Sequence, residues 1–231
     1  MSELLARAVG ERGELVLMRR DDALELRVNG VFVMDTAHTE TERLLAATTL
    51  GRLDRGDGLR VLIGGLGLGF TLREVLTDAR VTEAHVVEIE PDLLDWHRAG
   101  LVPDTAAALA DERVRVTVGD VAEVLDAEPD GCCDVLLLDV DNGPDFLVYQ
   151  ENSALYDSPF LRRCRDKLAA GGTLAVWSAD TSPDLLAAMR EVFGDAEERA
   201  IPVTLGQRET TYHLFVAHQV QLQQAGFQDS L

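Results

Sequence analysis

The sequence predicts an α/β fold in which a mostly parallel sheet, covered by helices, follows a small antiparallel β element. The main observation is that short apolar runs alternate with segments of helical periodicity from residue 61 onward. Such alternation is typical of βαβ units, which produce parallel strands. The second observation is an Asn29-Gly30 pair between two β-rich runs, which is a strong hairpin signal.

The N-terminal part consists of short segments in which apolar and polar residues alternate. Three such segments predict an antiparallel element of about three strands: 14–18, 24–28 and 31–34. A helix is predicted over 40–53, and a Gly- and Asp-rich stretch, 54–58, ends this unit. We therefore predict an N-terminal unit (1–55), an α/β domain (56–218) and a polar, Gln-rich tail (219–231) that is a candidate for disorder.

The α/β domain starts with an apolar strand that enters a glycine cluster and continues as a helix from Leu72. Six further strands are predicted: 84–88, 113–118, 133–138, 173–178, 198–203 and 210–217. Four further helices are predicted: 91–100, 120–125, 153–169 and 183–193. Because only a short turn joins the last two strands, they are expected to form an antiparallel hairpin at one edge of the sheet.

Composition and charge exclude several classes of function. The 231 residues include 41 acidic and 21 basic ones, so the formal net charge is −20, and a nucleic-acid partner is not expected. No apolar run approaches the roughly 20 residues that span a bilayer, and we expect neither a membrane segment nor a targeting signal. The three cysteines (Cys132, Cys133 and Cys164) match no disulfide framework and no metal-ligand spacing. We therefore expect a cytoplasmic protein without a metal.

Gly64, Gly65, Gly67 and Gly69 lie between the first strand of the domain and the following helix. Glycines let a ligand approach the backbone, and a helix N-terminus offers unpaired N–H groups with a partial positive charge. Ligands of open α/β sheets lie beyond the carboxyl ends of the strands, which is where these glycines are expected. We interpret the segment as a nucleoside-binding turn.

Three of the predicted strands end in an acidic residue. Glu88 follows Gly69 by 19 residues and is placed to bind a ribose diol through its two acceptor oxygens. Asp120 ends the third strand and is placed to accept a hydrogen bond from an adenine amino group. Asp139 ends the fourth strand and faces the glycine turn if the first and fourth strands are neighbours.

The glycine spacing separates two classes of nucleotide-binding protein. Dinucleotide enzymes favour G-x-G-x-x-G, whereas Gly65, Gly67 and Gly69 recur at every second residue. The G-x-G-x-G form, with acids after the second and third strands, is the pattern of transferases that bind S-adenosylmethionine. An NAD-dependent oxidoreductase is therefore the less favoured alternative.

These residues resemble the spermidine synthase family of polyamine aminopropyltransferases. Four segments carry the resemblance: 63–76, 87–91, 118–120 and 134–139. The resemblance implies a Rossmann-like, seven-stranded sheet of the class I methyltransferase type and transfer of an aminopropyl group from decarboxylated S-adenosylmethionine to a polyamine-type amine. It also implies that Glu88 binds the ribose, that Asp120 and Val121 bind the adenine, and that Asp139 is the acid beside the reacting amine. Together with the N-terminal β element, it suggests a homodimer.

The chain differs from the family pattern at three places near the substrate. Gly67 stands where the family has an aspartate, no Tyr-His pair occurs around Thr41 and Glu42, and the segment after Asp139 is shorter. Asp141 is therefore the second candidate catalytic acid, after Asp139. The missing aspartate favours methyl transfer from intact S-adenosylmethionine, whereas the acidic segment that begins at Asp139 favours aminopropyl transfer. Both reactions stay open at this point, as does a non-catalytic nucleoside-binding homologue.

Overall fold

The computed structural model describes residues 2–103, 105–205 and 208–219 and contains two sheets. The first is antiparallel, with four strands in sequence order: β1 (Ser2–Gly10), β2 (Gly13–Arg20), β3 (Ala23–Val28) and β4 (Val31–Asp35). Asn29 and Gly30, with φ of 52° and 78°, form the turn between β3 and β4 as predicted. The predicted number of strands was wrong, because β1 was missed; most of its side chains are exposed and give it no clear alternation.

The second sheet has seven strands in the order β10-β11-β9-β8-β5-β6-β7. Their bounds are β5 (Leu59–Gly64), β6 (Val81–Glu88), β7 (Val114–Val118), β8 (Cys133–Leu138), β9 (Leu168–Ser178), β10 (Ala196–Leu205) and β11 (Arg208–His218). Strands β5 to β9 are parallel, and β11 is antiparallel to both β9 and β10. The predicted seven-stranded, mostly parallel sheet with a C-terminal antiparallel hairpin is confirmed.

Seven α-helices connect the strands in the part of the chain that the structure describes: α1 (Glu40–Leu50), α2 (Phe70–Thr77), α3 (Pro91–Arg98), α4 (Thr105–Leu109), α5 (Val121–Ala127), α6 (Ser158–Lys167) and α7 (Pro183–Phe193). The single helix predicted over 153–169 is instead a 3-10 helix (Gln150–Tyr156) followed by α6. The break occurs because Asp157 caps α6, its Oδ1 accepting a hydrogen bond from Phe160 N at 3.0 Å. No helix within the described ranges is long and apolar enough to cross a membrane.

The seven-stranded sheet is buried on both faces. In β8, Leu136 and Leu138 belong to the hydrophobic cluster that includes α6 and α7, whereas Val135 and Leu137 belong to the cluster that includes α1 and α2. Successive side chains of a strand point to opposite faces, so β8 is apolar from Val135 to Leu138. This explains why its continuous apolar run predicted the strand bounds well.

A third hydrophobic cluster joins the N-terminal sheet to the α/β domain. Leu15 and Leu26 of the small sheet pack with Leu68 in the glycine turn, Phe70 of α2 and Trp96 of α3. The N-terminal sheet therefore lies over the glycine turn. The predicted division at residue 55 separates elements that share this cluster and stays a prediction, and residues 220–231 of the predicted tail lie outside the described residues.

Candidate active site at the glycine turn

The glycine turn lies at the edge of the sheet where the parallel strands end. Strand β5 lies between β6 and β8, so the strand order reverses at β5, which is where open α/β sheets bind ligands. Asp139 N donates to Gly64 O at 2.8 Å, and Gly65 N donates to Val87 O at 2.8 Å. The first and fourth strands of the domain are therefore neighbours, and Asp139 lies beside the glycines.

Two of the glycines are required by close approach of other parts of the protein. Gly65 has a φ of 93°, and a Cβ at this position would collide with the carbonyl oxygen of Asp139. Gly67 has a φ of 51°, and a Cβ there would lie 2.5 Å from the Sδ of Met34, at the end of β4. Both positions combine a left-handed backbone with no room for a side chain. The space that the sequence assigned to a ligand at Gly67 is therefore occupied by a thioether.

The backbone N–H groups of the turn are mostly engaged within the protein. Leu66 N donates to Glu88 Oε2 at 2.8 Å, Leu68 N to Met34 Sδ at 3.1 Å, and Gly69 N to Leu66 O at 2.8 Å. These three N–H groups precede α2, so their bonds leave the expectation of unpaired N–H groups at the helix N-terminus as a prediction. A turn whose donors are already used is a poor binding site for an anion.

His97 holds the glycine turn through a hydrogen bond to its backbone, and no role was predicted for this residue from the sequence. Its side chain is fully buried, and Nε2 lies 2.8 Å from the carbonyl oxygen of Gly67, at the distance of a donated hydrogen bond. Burial lowers the pKa of His97, so the ring is neutral and the Nε2–H tautomer serves as the donor. His97 therefore fixes the orientation of the peptide that follows Gly67.

A pocket of about 110 Å³ lies between the glycine turn and the N-terminal sheet, and we call it the nucleoside pocket after the ligand that the sequence predicts. It is lined by the predicted polar residues Glu88, Asp120 and Asp139, and Val121 forms part of its wall. The side of the pocket that belongs to the small sheet is apolar and is formed by Leu15, Leu26, Val28 and Val33. Most ligand sites combine apolar walls with a few convergent polar groups, and this pocket has that composition.

Glu88 and Asp120 are held in the pocket by backbone hydrogen bonds. Glu88 is 5% exposed; in addition to Leu66 N, it accepts Glu90 N on Oε1 at 2.8 Å. Burial raises the pKa of Glu88. Asp120 caps α5, its Oδ1 accepting Ala122 N at 2.8 Å. Both carboxyl groups thus have fixed positions and retain further acceptor capacity for a ligand.

Asp139 lies where the nucleoside pocket meets a smaller inner chamber. Its Oδ2 accepts a hydrogen bond from Thr71 Oγ1 at 2.6 Å. Burial raises the pKa of Asp139 from 3.8 to about 6. A carboxylate with a pKa in this range accepts a proton more readily than an exposed aspartate does.

Glu42, in the first turn of α1, is the second acid of the site, and no sequence pattern identified it as such. It is 6% exposed, and its Oε2 accepts a hydrogen bond from Thr41 Oγ1 at 2.9 Å. Burial and, second to it, the nearby charge of Asp139 together raise the pKa of Glu42 to about 7. The two carboxyl groups therefore interact directly, and placing a negative charge on both is unfavourable.

The inner chamber adjoins the nucleoside pocket, with which it shares Val33, Gly67, Asp139 and Asp141. Its walls are formed by Val33, Met34, Glu42, Gly67, Asp139, Asp141, Asn142 and Trp177. These residues include three acids and no lysine or arginine, and among the described residues the nucleoside pocket also has no basic side chain in its wall. The electrostatic field at the junction therefore favours a cation.

Asp141 organises the loop that covers the site. Its backbone has a φ of 55°, its Oδ1 accepts Val148 N at 3.1 Å, and its Oδ2 accepts Asn152 Nδ2 at 2.7 Å. Tyr149, in the same loop, donates its hydroxyl to Glu90 Oε1 at 2.7 Å. Because the pocket beneath is smaller than the roughly 300 Å³ of most small-molecule sites, we expect this loop to move when a nucleoside binds.

The sequence profile of the spermine/spermidine synthase domain matches residues 26–191. The chain belongs to this family. It is 35% identical over 159 residues to polyamine aminopropyltransferase 2 of Streptomyces coelicolor, a match covering 67% of this chain and 28% of that protein. It is 32% identical over 117 residues to putrescine N-methyltransferase 3 of Nicotiana tabacum, covering 50% of this chain and 29% of that protein. The matches span less than half the length of these curated relatives.

Solved structures of spermidine synthases share the fold. The crystal structure of spermidine synthase from Thermotoga maritima aligns with a TM-score of 0.79 at 18% identity, over 94% of this chain and 73% of that chain. A spermidine synthase in complex with the transition-state analogue AdoDATO aligns with a TM-score of 0.80 at 19% identity, over 94% of this chain and 74% of that chain. These likenesses establish the fold of this family member.

Met34 gives a physical reason for the glycine that replaces the family's aspartate. The thioether sulfur lies where a side chain at position 67 would begin, and it accepts the N–H of Leu68. A thioether is a weak acceptor without charge, so it does not replace an aspartate opposite an ammonium group. In this member of the spermidine synthase family, the inner chamber that Gly67 lines contains the carboxyl groups of Glu42, Asp139 and Asp141 instead.

The raised pKa of Glu42 predicts a pH-dependent stability. At pH values between 4.5, the ordinary pKa of a glutamate, and about 7, its pKa in the folded protein, Glu42 keeps its proton in the folded protein and loses it in the unfolded chain. The contribution of Glu42 to the free energy of unfolding is fully present below pH 4.5 and is lost as the pH rises through 7. We expect Glu42→Gln to raise the free energy of unfolding by about 3 kcal/mol near pH ~8 and by almost nothing near pH ~4.

Urea unfolding of the ligand-free protein at both pH values measures this effect. Glu40→Gln is the matched control, since Glu40 is exposed on the same helix and is not expected to show a pH-dependent gain. An equal effect of Glu42→Gln at both pH values would show that ionisation of Glu42 does not destabilise the folded protein.

Proposed function

We propose that this protein transfers an aminopropyl group from decarboxylated S-adenosylmethionine to a small primary amine. The observation that carries the proposal is the acidic junction between the nucleoside pocket and the inner chamber, where Glu42 and Asp139 face each other without a basic residue in the described walls. The donor and the acceptor of such a reaction are both cations. An acidic cavity suits both of them.

The same observation supports the decarboxylated donor over intact S-adenosylmethionine. The intact donor carries an additional carboxylate, which needs a cationic side chain or free N–H groups when it is buried. Three N–H groups of the glycine turn are already engaged, and the nearest titratable side chains are acids. The methyl-transfer alternative therefore lacks a binding site for that carboxylate among the described residues.

The proposed roles follow the positions of the side chains. Glu88 binds the ribose hydroxyls, and Asp120 with Val121 binds the adenine. Gly65 and Gly67 line the pocket and form its wall beside the sulfonium, whereas Gly64 and Gly69 shape the turn at its two ends. Asp141 holds the covering loop and acts in catalysis only through it. These assignments are supported by the lining of the pocket and by the hydrogen bonds that fix each carboxyl group.

The proposed reaction is a displacement at carbon in which Asp139 handles the proton. The carboxylate of Asp139, whose raised pKa makes it a stronger base than an exposed aspartate, first takes a proton from the ammonium group of the bound acceptor. The neutral amine then forms a bond to the donor carbon attached to sulfur, and the carbon–sulfur bond breaks. The electron pair of that bond remains on sulfur, so the sulfonium becomes the neutral thioether of methylthioadenosine, and the positive charge remains on the nitrogen of the alkylated amine.

Identification of the released nucleoside tests the proposal. The protein is incubated with putrescine and, in separate reactions, with decarboxylated or intact S-adenosylmethionine, and the products are identified by mass spectrometry. We expect methylthioadenosine from the decarboxylated donor. S-adenosylhomocysteine as the only product would support methyl transfer instead, as in the putrescine N-methyltransferase relative. Nucleoside binding without either product would support a non-catalytic homologue.

We also propose a homodimer in a reducing compartment such as the cytoplasm, with small amines rather than nucleic acid as partners. Strand β1 is an edge strand and exposes Leu4 and Val9, with relative exposures of 56% and 72%. Exposed apolar side chains on an edge strand favour pairing with another chain. The three cysteines are unpaired, which is consistent with a reducing environment. Light scattering of the purified protein measures the oligomeric state.

A further inference from the structure

A cavity of about 190 Å³, here called the cysteine cavity, lies near the edge of the seven-stranded sheet where the parallel strands begin. This edge is opposite the one that holds the nucleoside pocket. The polar side chains in its walls include Arg60, Glu83, His85, Arg115, Cys132 and Cys133. Within the described part of the chain, the cysteine cavity shares no residue with the nucleoside pocket or the inner chamber. Its two neighbouring thiols are therefore not used by the proposed reaction.

The three cysteines of the chain differ in access and in protonation. Cys132 is partly exposed and lines the cysteine cavity, whereas Cys133 and Cys164 are buried. Hydrogen bonding to Cys132 and burial raise the pKa of Cys133 well above its ordinary value, so this thiol stays protonated. Burial also raises the pKa of Cys164. Because the thiolate is the nucleophilic form of cysteine, Cys132 is the one of the three that combines access with a route to ionisation.

Positive charges are fixed on both sides of the chain that leads to Cys132. Arg60 Nη2 donates to the carbonyl oxygen of Gly131, the preceding residue, at 2.9 Å. Lys167 Nζ donates to the carbonyl oxygen of Glu128 at 2.7 Å. These bonds hold a guanidinium and an ammonium group beside the same short segment, which favours a negative charge on the sulfur of Cys132.

The neighbouring thiol supplies a hydrogen-bond donor to the same sulfur. Cys133 Sγ lies 3.5 Å from Lys167 O and donates to it, and a thiol hydrogen can rotate about the Cβ–Sγ bond toward a Cys132 thiolate when one forms. This hydrogen bond is the main effect that lowers the pKa of Cys132 to about 7. The charges of Arg60 and Lys167 act in the same direction, whereas burial and the charge of Glu128 oppose it. A substantial fraction of Cys132 is therefore ionised near neutral pH.

The remaining charged groups of the cysteine cavity balance each other. Arg115 Nη2 donates to Glu128 Oε1 at 2.8 Å, and Arg115 Nε lies 3.7 Å from Glu83 Oε1. The same guanidinium lies 2.8 Å from His85 Nδ1, and burial lowers the pKa of His85, so this ring is neutral near neutral pH. With Arg60 and Arg115 opposed by two glutamates, the walls select a ligand by size. The volume is below the roughly 300 Å³ of most small-molecule sites, so only a compact group fits.

We propose that Cys132 is a thiol–disulfide exchange site that forms a mixed disulfide with compact low-molecular-weight disulfides. The thiolate of Cys132 forms a bond to one sulfur of the disulfide, and the original sulfur–sulfur bond breaks. The second sulfur leaves with the electron pair of that bond as a thiolate. The half that remains attached to Cys132 occupies the cysteine cavity. Cys133 acts as the donor that stabilises the attacking thiolate, and because it stays protonated it does not displace the attached group.

The test measures the reaction of the folded protein with hydroxyethyl disulfide, a compact uncharged probe, and locates the adduct by peptide mass spectrometry. We expect one adduct, on Cys132, with a rate that rises with pH through about 7. Cys133→Ala removes the donor and is expected to slow the reaction near pH ~7 about 3- to 10-fold, since a smaller thiolate fraction is partly offset by a more nucleophilic thiolate. Cys133→Ser keeps a rotatable donor and is expected to stay within about twofold of the wild type.

Two controls keep the result specific to the cysteine cavity. Cys132→Ser is expected to give no adduct, and unchanged circular dichroism of each variant shows that it is folded. Glutathione disulfide, which is bulkier, is expected to react more slowly than the compact probe once each rate is divided by that of the same reagent with free cysteine. An adduct on Cys133 or Cys164 formed as fast as that on Cys132 would overturn the proposal, as would equal rates for the wild type and Cys133→Ala or a normalised rate with glutathione disulfide that matches the compact probe.

Discussion

Replacing Asp139 by asparagine is expected to lower kcat by about 10²- to 10⁴-fold, the usual contribution of a positioned general base. Asparagine has nearly the same shape and can still accept the hydrogen bond from Thr71 Oγ1, which is 2.6 Å long in the wild type. It cannot accept a proton from the amine. Because the geometry is retained, the affinity for methylthioadenosine is expected to stay within about threefold of that of the wild type. This change is smaller than the loss of a hydrogen bond to a charged group would cause.

The pH dependence provides a second measurement on the same variant. Asp139 must be ionised to receive the proton, so the activity of the wild type is expected to rise with pH through about 6, the raised pKa of this group. Asp139→Asn removes this carboxyl group, so the activity of the variant is not expected to rise with pH in this range. Asp141→Asn is the matched control and is expected to have the smaller effect on kcat, because Asp141 binds the loop through Val148 and Asn152. A kcat for Asp139→Asn within about tenfold of the wild type would rule out the proposed role.

The polar residues at the strand ends could be predicted because local patterns determine their positions. The carboxyl ends of neighbouring parallel strands share one edge of the sheet. An acid directly after an apolar run therefore lies at this edge, and its position does not depend on the conformation of the loops. Glu88, Asp120 and Asp139 satisfy this condition, and all three line the nucleoside pocket. Their chemical roles are proposals, but their convergence follows from strand order and register alone.

The acceptor side of the site could not be predicted in the same way. Met34 reaches it because the N-terminal sheet packs on Leu68 and Phe70, and Glu42 reaches it because α1 packs on α2. Both contacts depend on tertiary packing between distant segments. In the sequence, Glu42 is indistinguishable from an ordinary acid in the first turn of a helix. Trp177 could have been considered, because it lies near the end of the fifth predicted strand and therefore at the same edge. An apolar side chain gives no chemical signal there, so the strand-end rule did not single it out.

The glycines were predicted to belong to the site, but for an incomplete reason. The expectation was that missing side chains let a ligand approach the backbone. At Gly65 the missing side chain instead lets the carbonyl oxygen of Asp139 approach, and at Gly67 it makes room for Met34. The turn therefore positions the catalytic strand end as well as forming a wall of the pocket. This dual role cannot be seen from the spacing of glycines, because it depends on what lies on the neighbouring strand.

Gly65→Ala is accordingly expected to abolish nucleoside binding. The new Cβ would meet the backbone carbonyl of Asp139 well inside the 3.0 Å that real Cβ atoms keep, and this backbone has little freedom to move because Asp139 N is bound to Gly64 O. The collision displaces Asp139 and the turn together. We expect methylthioadenosine affinity to fall by more than about 100-fold and the free energy of unfolding to fall by about 3 kcal/mol or more, the range of severe steric and backbone effects.

Gly58→Ala separates the effect of the collision from that of backbone strain. Gly58 has the same φ as Gly65, 93°, but a Cβ at position 58 meets nothing within 4 Å. Its substitution is expected to cost only the strain of a left-handed backbone, about 1 to 2 kcal/mol, and to leave methylthioadenosine binding unchanged. If Gly65→Ala lost no more stability than Gly58→Ala and still bound methylthioadenosine, the close approach of Asp139 to the glycine turn would not be needed for the site. If only Gly65→Ala loses binding, the cause is the contact with Asp139, since both positions have the same positive φ.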